Sequence, residues 1–301
     1  MFRAMVKAKG LPEYSDQVFK TIGTHTFTVP DNVEYIACVC IGSGGGGASN
    51  YEPNAGQGGG LAYGTIKVTA GETLTVVVGD RGSAGPYSPG GSNAGGNGGP
   101  SYISRSGTKL IQAHGGKGGG NTQDSGNVNI LAAEVSRKGS YNGGAGATSG
   151  NRFDGRGPGG GGAAGYSGNG GAGSQNDGSA GTGGAGGGGG GGKWLSANFT
   201  PYRRQGGFGG GVSLYGEGTS GAGGIYDSQA PNYDDNMGGP GSHNKGTDSG
   251  QDDQEYGGGA PSPGGANGIN GGLPGYSGKQ GAVRIVWPGR ARRYPSQNVA
   301  Q

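Results

Sequence analysis

The chain has 301 residues, of which 83 are glycine and 15 are proline, and only 29% of its residues are hydrophobic. Such a composition is typical of low-complexity or disordered segments and favours a flexible linker. The formal net charge is +3 with 14% charged residues, which excludes disorder driven by charge repulsion. It also argues against nucleic acid as a partner, because few counterions would be released on binding and the chain has no Arg-Gly-Gly triplet.

The first 23 residues precede the first strand pattern. We predict that residues 1–23 form an arm that docks onto another protein. They open with MFRAMVKAKG, which lacks the apolar core of a signal peptide. No segment of the chain is apolar over the length that a membrane span needs, so we expect no membrane insertion.

The apolar residues gather near the two ends of the chain, in patterns typical of short β-strands. The stretch HTFTVP at His25–Pro30 alternates polar with apolar residues, and the turn signal Ser106-Gly107-Thr108 predicts a hairpin. Together the patterns predict strands at residues 25–30, 33–41, 60–69, 73–79, 101–105, 109–115 and 281–287. Seven short strands favour an all-β fold, a jelly-roll-like β-sandwich.

The last predicted strand stands far from the others in sequence. If it pairs with an early strand, the residues from about Gly115 to Gln280 are an insertion that loops out of one sandwich. Within them only Asn129–Gly139 has the composition of a helix. We therefore predict four parts: an arm at 1–23, a β-sandwich at 24–115 and 278–290, a glycine-rich bundle at 116–277, and a C-terminal tail at 291–301. The basic tail is expected either to dock onto a partner or to be solvated.

The glycines of the insertion recur every three residues. One such row holds the predicted structural glycines Gly178, Gly181, Gly184, Gly187 and Gly190. Three residues is the period of polyproline II geometry, which forms no hydrogen bonds within the helix. Its N–H and C=O groups therefore need partners on neighbouring segments. We predict a bundle of polyglycine II helices, in which Gly178–Gly192 spans roughly 45 Å. A solvated Gly/Ser linker is the alternative.

Aromatic and charged segments interrupt the glycine runs, at residues 121–142, 193–205 and 225–256. Aromatic residues and arginine are enriched at binding hot spots, and loops on a rigid scaffold are usual recognition sites. The residues predicted to form a recognition surface are Trp194, Phe199, Tyr202, Arg203, Arg204, Tyr226 and Tyr233. The alternative for Trp194 and Phe199 is that they close a small apolar cluster at the end of the bundle.

Three stretches resemble a known family: TFTVPDNVEYIACVCIGSGGGG, GGLAYGTIKVTAGETLTVVVGDRGS and GAVRIVWPGRARRYPS. They look like the glycine-rich domain of bacteriophage tail-fibre and other virion proteins, over about residues 24–115 and 278–296. The middle of the chain is similar in style to the fibre-tip adhesins of T-even-type phages, in which polyglycine II helices form a sandwich and variable loops contact the host. Only the scaffold strands match this family residue by residue. That the recognition residues named above contact a receptor is therefore a hypothesis.

The resemblance implies a non-enzymatic virion protein, a tail-fibre or tail-tip adhesin on the exterior of the tail or capsid, assembled in the host cytoplasm. Its implied partners are other virion proteins, bound through the arm, and a host surface protein or saccharide. A virion protein that decorates or connects the capsid or tail, without binding a receptor, is the alternative. Whether the protein is a homo-oligomer is left open.

Enzymatic and metal-binding patterns are weak in this sequence. Gly42–Gly47 formally fits the dinucleotide motif G-x-G-x-x-G, but the residues after it cannot open the required helix. Cys38 and Cys40 are expected to be buried free thiols, since two cysteines alone make no metal site. The acidic pairs Asp234-Asp235 and Asp252-Asp253 could hold calcium, although solvated acidic loops are the simpler interpretation. We predict no enzyme activity, no cofactor and no metal.

Overall fold

The computed structural model describes residues 14–49, 54–86, 93–121, 129–148, 157–174, 182–185, 187–191, 206–224, 256–263 and 274–295. These residues contain ten strands and no helix. The strands are β1 (Ser15–Phe19), β2 (Gly23–Thr28), β3 (Tyr35–Ile41), β4 (Leu61–Lys67), β5 (Thr73–Val78), β6 (Ser101–Arg105), β7 (Thr108–Ala113), β8 (Ile130–Leu131), β9 (Ser136–Tyr141) and β10 (Ala282–Trp287). The predicted all-β class is confirmed, and all seven predicted strands are present.

The strands form two antiparallel sheets. The first has the order β1-β10-β3-β4-β9 and the second the order β2-β5-β6-β7-β8. The late strand β10 lies between β1 and β3, with Ile285 opposite Cys38. The late strand therefore pairs with an early one, as expected, although β8 and β9, which lie within the predicted insertion, also join the two sheets.

The tight turns follow the expected turn chemistry. Arg105 pairs with Thr108 across the β6–β7 hairpin, which leaves Ser106 and Gly107 as a two-residue loop. Both loop residues have positive φ, 46° and 83°, as a type I′ turn requires. The hairpin predicted at this position is thus confirmed.

The helix predicted at Asn129–Gly139 is wrong. Ile130–Leu131 instead pairs with β7, and Ser136–Tyr141 pairs with β4. The open edges of both sheets offer hydrogen bonds to these segments, and Val135 is buried in the core. Tertiary contacts outweigh the modest helix propensity of two alanines and a glutamate.

Both ends of the described chain pack with the sheets rather than lying apart from them. β1 is part of the segment predicted as an arm, yet it forms the edge of the first sheet. In the predicted tail, the Arg292 guanidinium donates to the Ser15 carbonyl at 2.9 Å, and Tyr294 is 2% exposed. The described part of the tail therefore packs on its own domain and is not solvated.

The two sheets share one apolar core, as in a sandwich. Side chains of both sheets contribute to it, among them Phe27, Leu74, Val76, Ile103 and Ile111 from the second sheet and Ile36, Cys38, Cys40, Ile66, Val283 and Ile285 from the first. The opposite face of the first sheet is also covered, by Tyr166, Leu214 and Tyr294. Burial on both faces explains why β3 is a nearly continuous apolar run.

Burial raises the pKa of four acidic groups in these two cores. The thiols of Cys38 and Cys40 and the phenols of Tyr166 and Tyr294 all have pKa values raised, chiefly by desolvation. Each group therefore stays protonated in the folded protein at a pH where the unfolded chain already ionises. Its contribution to stability is complete below the ordinary pKa, 9.0 for the thiol and 10.0 for the phenol, and is lost as the pH rises further.

We expect the free energy of unfolding to fall above about pH 9, by up to about 1.4 kcal/mol per pH unit for each group. Urea titrations between pH 7 and pH 11 measure this slope. The double variant Tyr166→Phe with Tyr294→Phe should show a shallower decline above pH 10 than the wild type. Equal slopes in the two proteins would contradict this interpretation.

A glycine-rich layer continues from one end of the sheets. β3, β5 and β7 end there, and β4, β6 and β10 begin there. Residues 42–49, which follow β3, are buried throughout. Their N–H groups donate to three neighbouring segments in turn. Gly42, Gly45 and Ala48 donate to residues 54–60, and Ser43, Gly46 and Ser49 donate to residues 93–99. Gly44 and Gly47 donate to residues 276–279. A neighbour that recurs at every third residue is the register expected for polyglycine II helices.

The carbonyl groups of residues 42–49 accept from three further segments, at 82–85, 116–119 and 260–262. The segment is thus surrounded by six neighbours. Residues 158–165 have the same arrangement. Their N–H groups donate to residues 56–59, 168–171 and 207–210. Their carbonyl groups accept from residues 144–147, 188–191 and 259–262. Two surrounded segments make the layer a hydrogen-bonded lattice rather than a linker.

The long straight helix predicted for Gly178–Gly192 is wrong. Gly190 donates to the Thr182 carbonyl at 2.8 Å, whereas a straight helix would separate these residues by about 25 Å. The chain therefore reverses between them. An added Cβ at Gly184, Gly187 or Gly190 would overlap neighbouring backbone atoms, while Gly178 and Gly181 lie outside the described residues. Glycine spacing cannot reveal such a reversal, because the residues that permit close packing also permit sharp turns.

Candidate functional site

The glycine-rich layer has a distal end, opposite the sheets, which we define by Ser49, Asn54, Asn93, Pro158 and Ser262. Hydrogen bonds connect these residues. Ser49 N donates to Asn93 O at 2.9 Å, and Ser262 N donates to Pro158 O at 3.4 Å. The Ser262 hydroxyl donates to the Ala48 carbonyl at 2.7 Å, next to Ser49. The distal end is thus held together by hydrogen bonds of buried serines, with Asn54 and Asn93 partly exposed beside them.

The residues predicted to contact a receptor lie outside the described residues. They fall in residues 192–205 and 225–255. The flanking residues are described: Gly191 N donates to Gly160 O at 2.8 Å, and Gly206 N donates to Ser262 O at 3.4 Å. Both ends of the segment that carries Trp194, Phe199, Tyr202, Arg203 and Arg204 therefore join the lattice at the distal end. Tyr226 and Tyr233 follow Gly224, which donates to the Gly190 carbonyl at 2.8 Å.

A groove of about 570 Å³ runs along the lattice from the distal end. Its walls are residues 117–121 and 145–148, and its floor is residues 54–57. The polar side chains along it are Asn54, Gln57, Lys117, Asn121 and Thr148. The volume lies within the range of small-molecule binding sites, which is roughly 300–1,000 Å³.

The groove coincides with a lattice position that none of the described residues fills. Residues 54–60 have hydrogen-bonded neighbours at 42–48, 114–117, 144–147, 161–164 and 257–260. These five segments surround residues 54–60, and successive segments bond to one another; among the described residues, no backbone hydrogen bond joins 114–121 to 143–148. The sixth position, occupied around residues 42–49, is here the open groove.

The side chain of Gln57 forms the floor of the groove. Its amide nitrogen donates to Gly143 O at 3.4 Å, and its amide oxygen accepts from Lys117 N at 3.3 Å. Closer to the sheets, the His114 Nε2 atom lies 3.1 Å from Asn142 Oδ1. The Gln57 side chain therefore spans the gap that a sixth backbone would fill.

The groove residues were missed by the sequence interpretation. Gln57 and Lys117 are single large side chains within runs of glycine and other small residues, AGQGGG and GGKGGG. In a packed lattice a large side chain fits only where a neighbour is absent, so such interruptions are a usable signal. Neither residue is aromatic and neither lies in an aromatic loop, so the composition typical of binding hot spots does not mark them.

The glycines of the dinucleotide-like motif serve packing. An added Cβ at Gly42, Gly44 or Gly47 would overlap backbone carbonyl groups of His114, Gly258 or Pro261. These glycines pack against neighbouring segments of the same chain rather than facing a cleft for a pyrophosphate. Within the described ranges, no three residues among His, Cys, Asp and Glu are grouped to hold a metal ion, and no helix there is long and apolar enough to cross a membrane.

Comparison with family models places this chain in a known family. A family model described as a glycine-rich domain matches residues 20–288. The chain belongs to this family of glycine-rich domains. The match runs from just before β2 to just after β10, so it includes the polyglycine lattice as well as the strands of this glycine-rich domain. No curated protein is significantly similar in sequence to the chain.

Proposed function

We propose that this glycine-rich domain is a non-enzymatic bacteriophage virion protein, a tail-fibre or tail-tip adhesin that binds a host surface receptor. The observation that carries the proposal is the anchoring of Gly191 and Gly206 at the distal end of a lattice whose central segments have six hydrogen-bonded neighbours. A rigid base lowers the entropy cost of presenting a recognition segment, and the segment between these glycines is rich in aromatic residues and arginine.

The proposed attachment to the virion uses the opposite part of the molecule. Residues 1–13 lead into β1, which is an edge strand of the first sheet with one side bonded to β10. Edge strands are common sites of pairing with another chain. The arm would then lie on the sandwich and the receptor site at the distal end of the lattice.

The central test is competition for the host. Purified protein is incubated with susceptible cells before the phage that carries it is added, and free phage is counted. We expect the protein to bind the cells and to reduce phage adsorption. A decorating or connecting protein would do neither, so a null result in both assays would reject the adhesin function.

The segment at the distal end has its own prediction. Replacing Tyr202 and Arg203 together by alanine should lower host-cell binding at least tenfold, because truncated hot-spot residues each cost roughly 1–2 kcal/mol or more. The melting temperature should not change. The matched control replaces the exposed Tyr14 and Lys20 by alanine on the edge of the first sheet. Equal binding of both variants would count against the distal segment as the receptor site.

A further inference from the structure

We infer that the groove between residues 117–121 and 145–148 is a binding site for a saccharide. This inference rests on the proposed function and names a ligand class for it. The groove lies outside the segments predicted to contact a receptor and reaches the distal end through Asn54, Asn121 and Thr148. A ligand in it would lie beside whatever the distal segments contact.

The lining carries hydrogen-bonding groups side by side, some of which already have partners within the protein: the Gln57 amide bonds Gly143 O and Lys117 N, and the Asn121 amide donates to Asn97. Asn54, Gln57 and Asn121 carry amides, Lys117 carries an ammonium group, and Thr148 carries a hydroxyl. The hydrogen bonds among the described residues leave the Ala55 carbonyl oxygen, at the floor, without an N–H donor. A ligand that both donates and accepts at short intervals matches this mixture, and adjacent hydroxyl groups on a sugar ring have that property.

A polypeptide strand fits the groove less well. In the lattice a sixth strand would lie where the Gln57 side chain bridges Lys117 N and Gly143 O, at 3.3 Å and 3.4 Å. Admitting that strand would break both hydrogen bonds. A saccharide can lie above the Gln57 amide and use it as a partner, so the lattice can stay intact on binding.

The test uses the full-length protein on an array of bacterial surface oligosaccharides, followed by titration calorimetry with the best binder. Ala145 is exposed and lies in the wall, so Ala145→Trp should fill the groove without disturbing the core. We expect this variant to lose at least tenfold in affinity. The matched control is Ala222→Trp, at an exposed alanine of another glycine-rich segment.

Each outcome decides the inference. Saccharide binding that is lost in Ala145→Trp and kept in Ala222→Trp supports it. Binding that survives Ala145→Trp, or no saccharide bound by the wild type, overturns it. Binding of an octaglycine peptide that competes at the groove would assign the site to a polypeptide instead. If Ala145→Trp binds no saccharide yet still blocks phage adsorption, the groove is not the receptor site and the adhesin function stands without it.

Discussion

Replacing Gly45 by alanine is expected to destabilise the protein by at least about 3 kcal/mol. An added Cβ would overlap the carbonyl group of Lys117, and it would sit on the central segment of the lattice. That segment has neighbours on six sides, so no direction is open for relaxation. The free energy of unfolding from urea titration measures the effect.

Gly183→Ala is the matched control for Gly45→Ala. Gly183 is exposed, and an added Cβ there would meet only Gly221 O, at 3.3 Å. We expect this variant to lie within about 0.5 kcal/mol of the wild type. If Gly45→Ala were equally mild, residues 42–49 would have freedom that a six-neighbour lattice does not allow.

Replacing Asp16 by alanine is expected to cost about 2 kcal/mol through Arg284. The Arg284 side chain is 3% exposed and donates from Nε to Asp16 at 2.8 Å, and its Nη1 donates to Leu214 O at 3.3 Å. Removing the carboxylate leaves a buried cation without its counter-charge. The loss should fall below the roughly 3–5 kcal/mol of a fully buried pair, because the Asp16 side chain is 34% exposed.

A double-mutant cycle separates this ion pair from general damage. Asp16→Ala with Arg284→Met should be more stable than the sum of the two single variants predicts, because no unpaired charge remains. Glu134→Ala provides the surface control, since Glu134 is 52% exposed and bonds Arg105 at 3.1 Å. We expect a change below about 1 kcal/mol there. Strict additivity in the cycle would show that Asp16 does not stabilise Arg284.

The sequence contains clear signals for the strands that cross the core. Alternation at His25–Pro30 and turn residues such as Ser106-Gly107 predict β2 and the β6–β7 hairpin, because burial and turn geometry act locally. β8 and β9 carry no such signal. Ser136–Tyr141 is mostly polar and lacks apolar alternation, and it becomes a strand because β4 offers an open edge.

The sequence predicts the polyglycine II packing of the lattice, but it does not predict the course of the chain through it. A three-residue glycine period indicates polyglycine II geometry, and the hydrogen bonds of residues 42–49 have this period. The sequence does not indicate which segments are neighbours, since any glycine run can pack against any other. For the same reason the reversal between Thr182 and Gly190 and the gap beside Gln57 emerge only from the structure.

The sequence also does not predict the cluster of contacts around Arg284. An arginine within the apolar strand AVRIVW suggests an outward-facing side chain. The structure buries it instead, with its guanidinium 4.5 Å from the Tyr215 ring and next to the Leu214 carbonyl that also accepts from Tyr294. This cluster joins β1, the tail and a glycine-rich segment, which are far apart in the chain.

Native-state hydrogen exchange of the amides of residues 42–49 tests the central claim most directly. Every one of these N–H groups donates to a carbonyl of another segment, at 2.8–3.1 Å. We therefore predict that they exchange only through global unfolding, with protection equal to that of β3. Exchange of these amides at the rate of an unstructured peptide, while β3 remains protected, would contradict the lattice. It would indicate that residues 42–49 are a flexible linker.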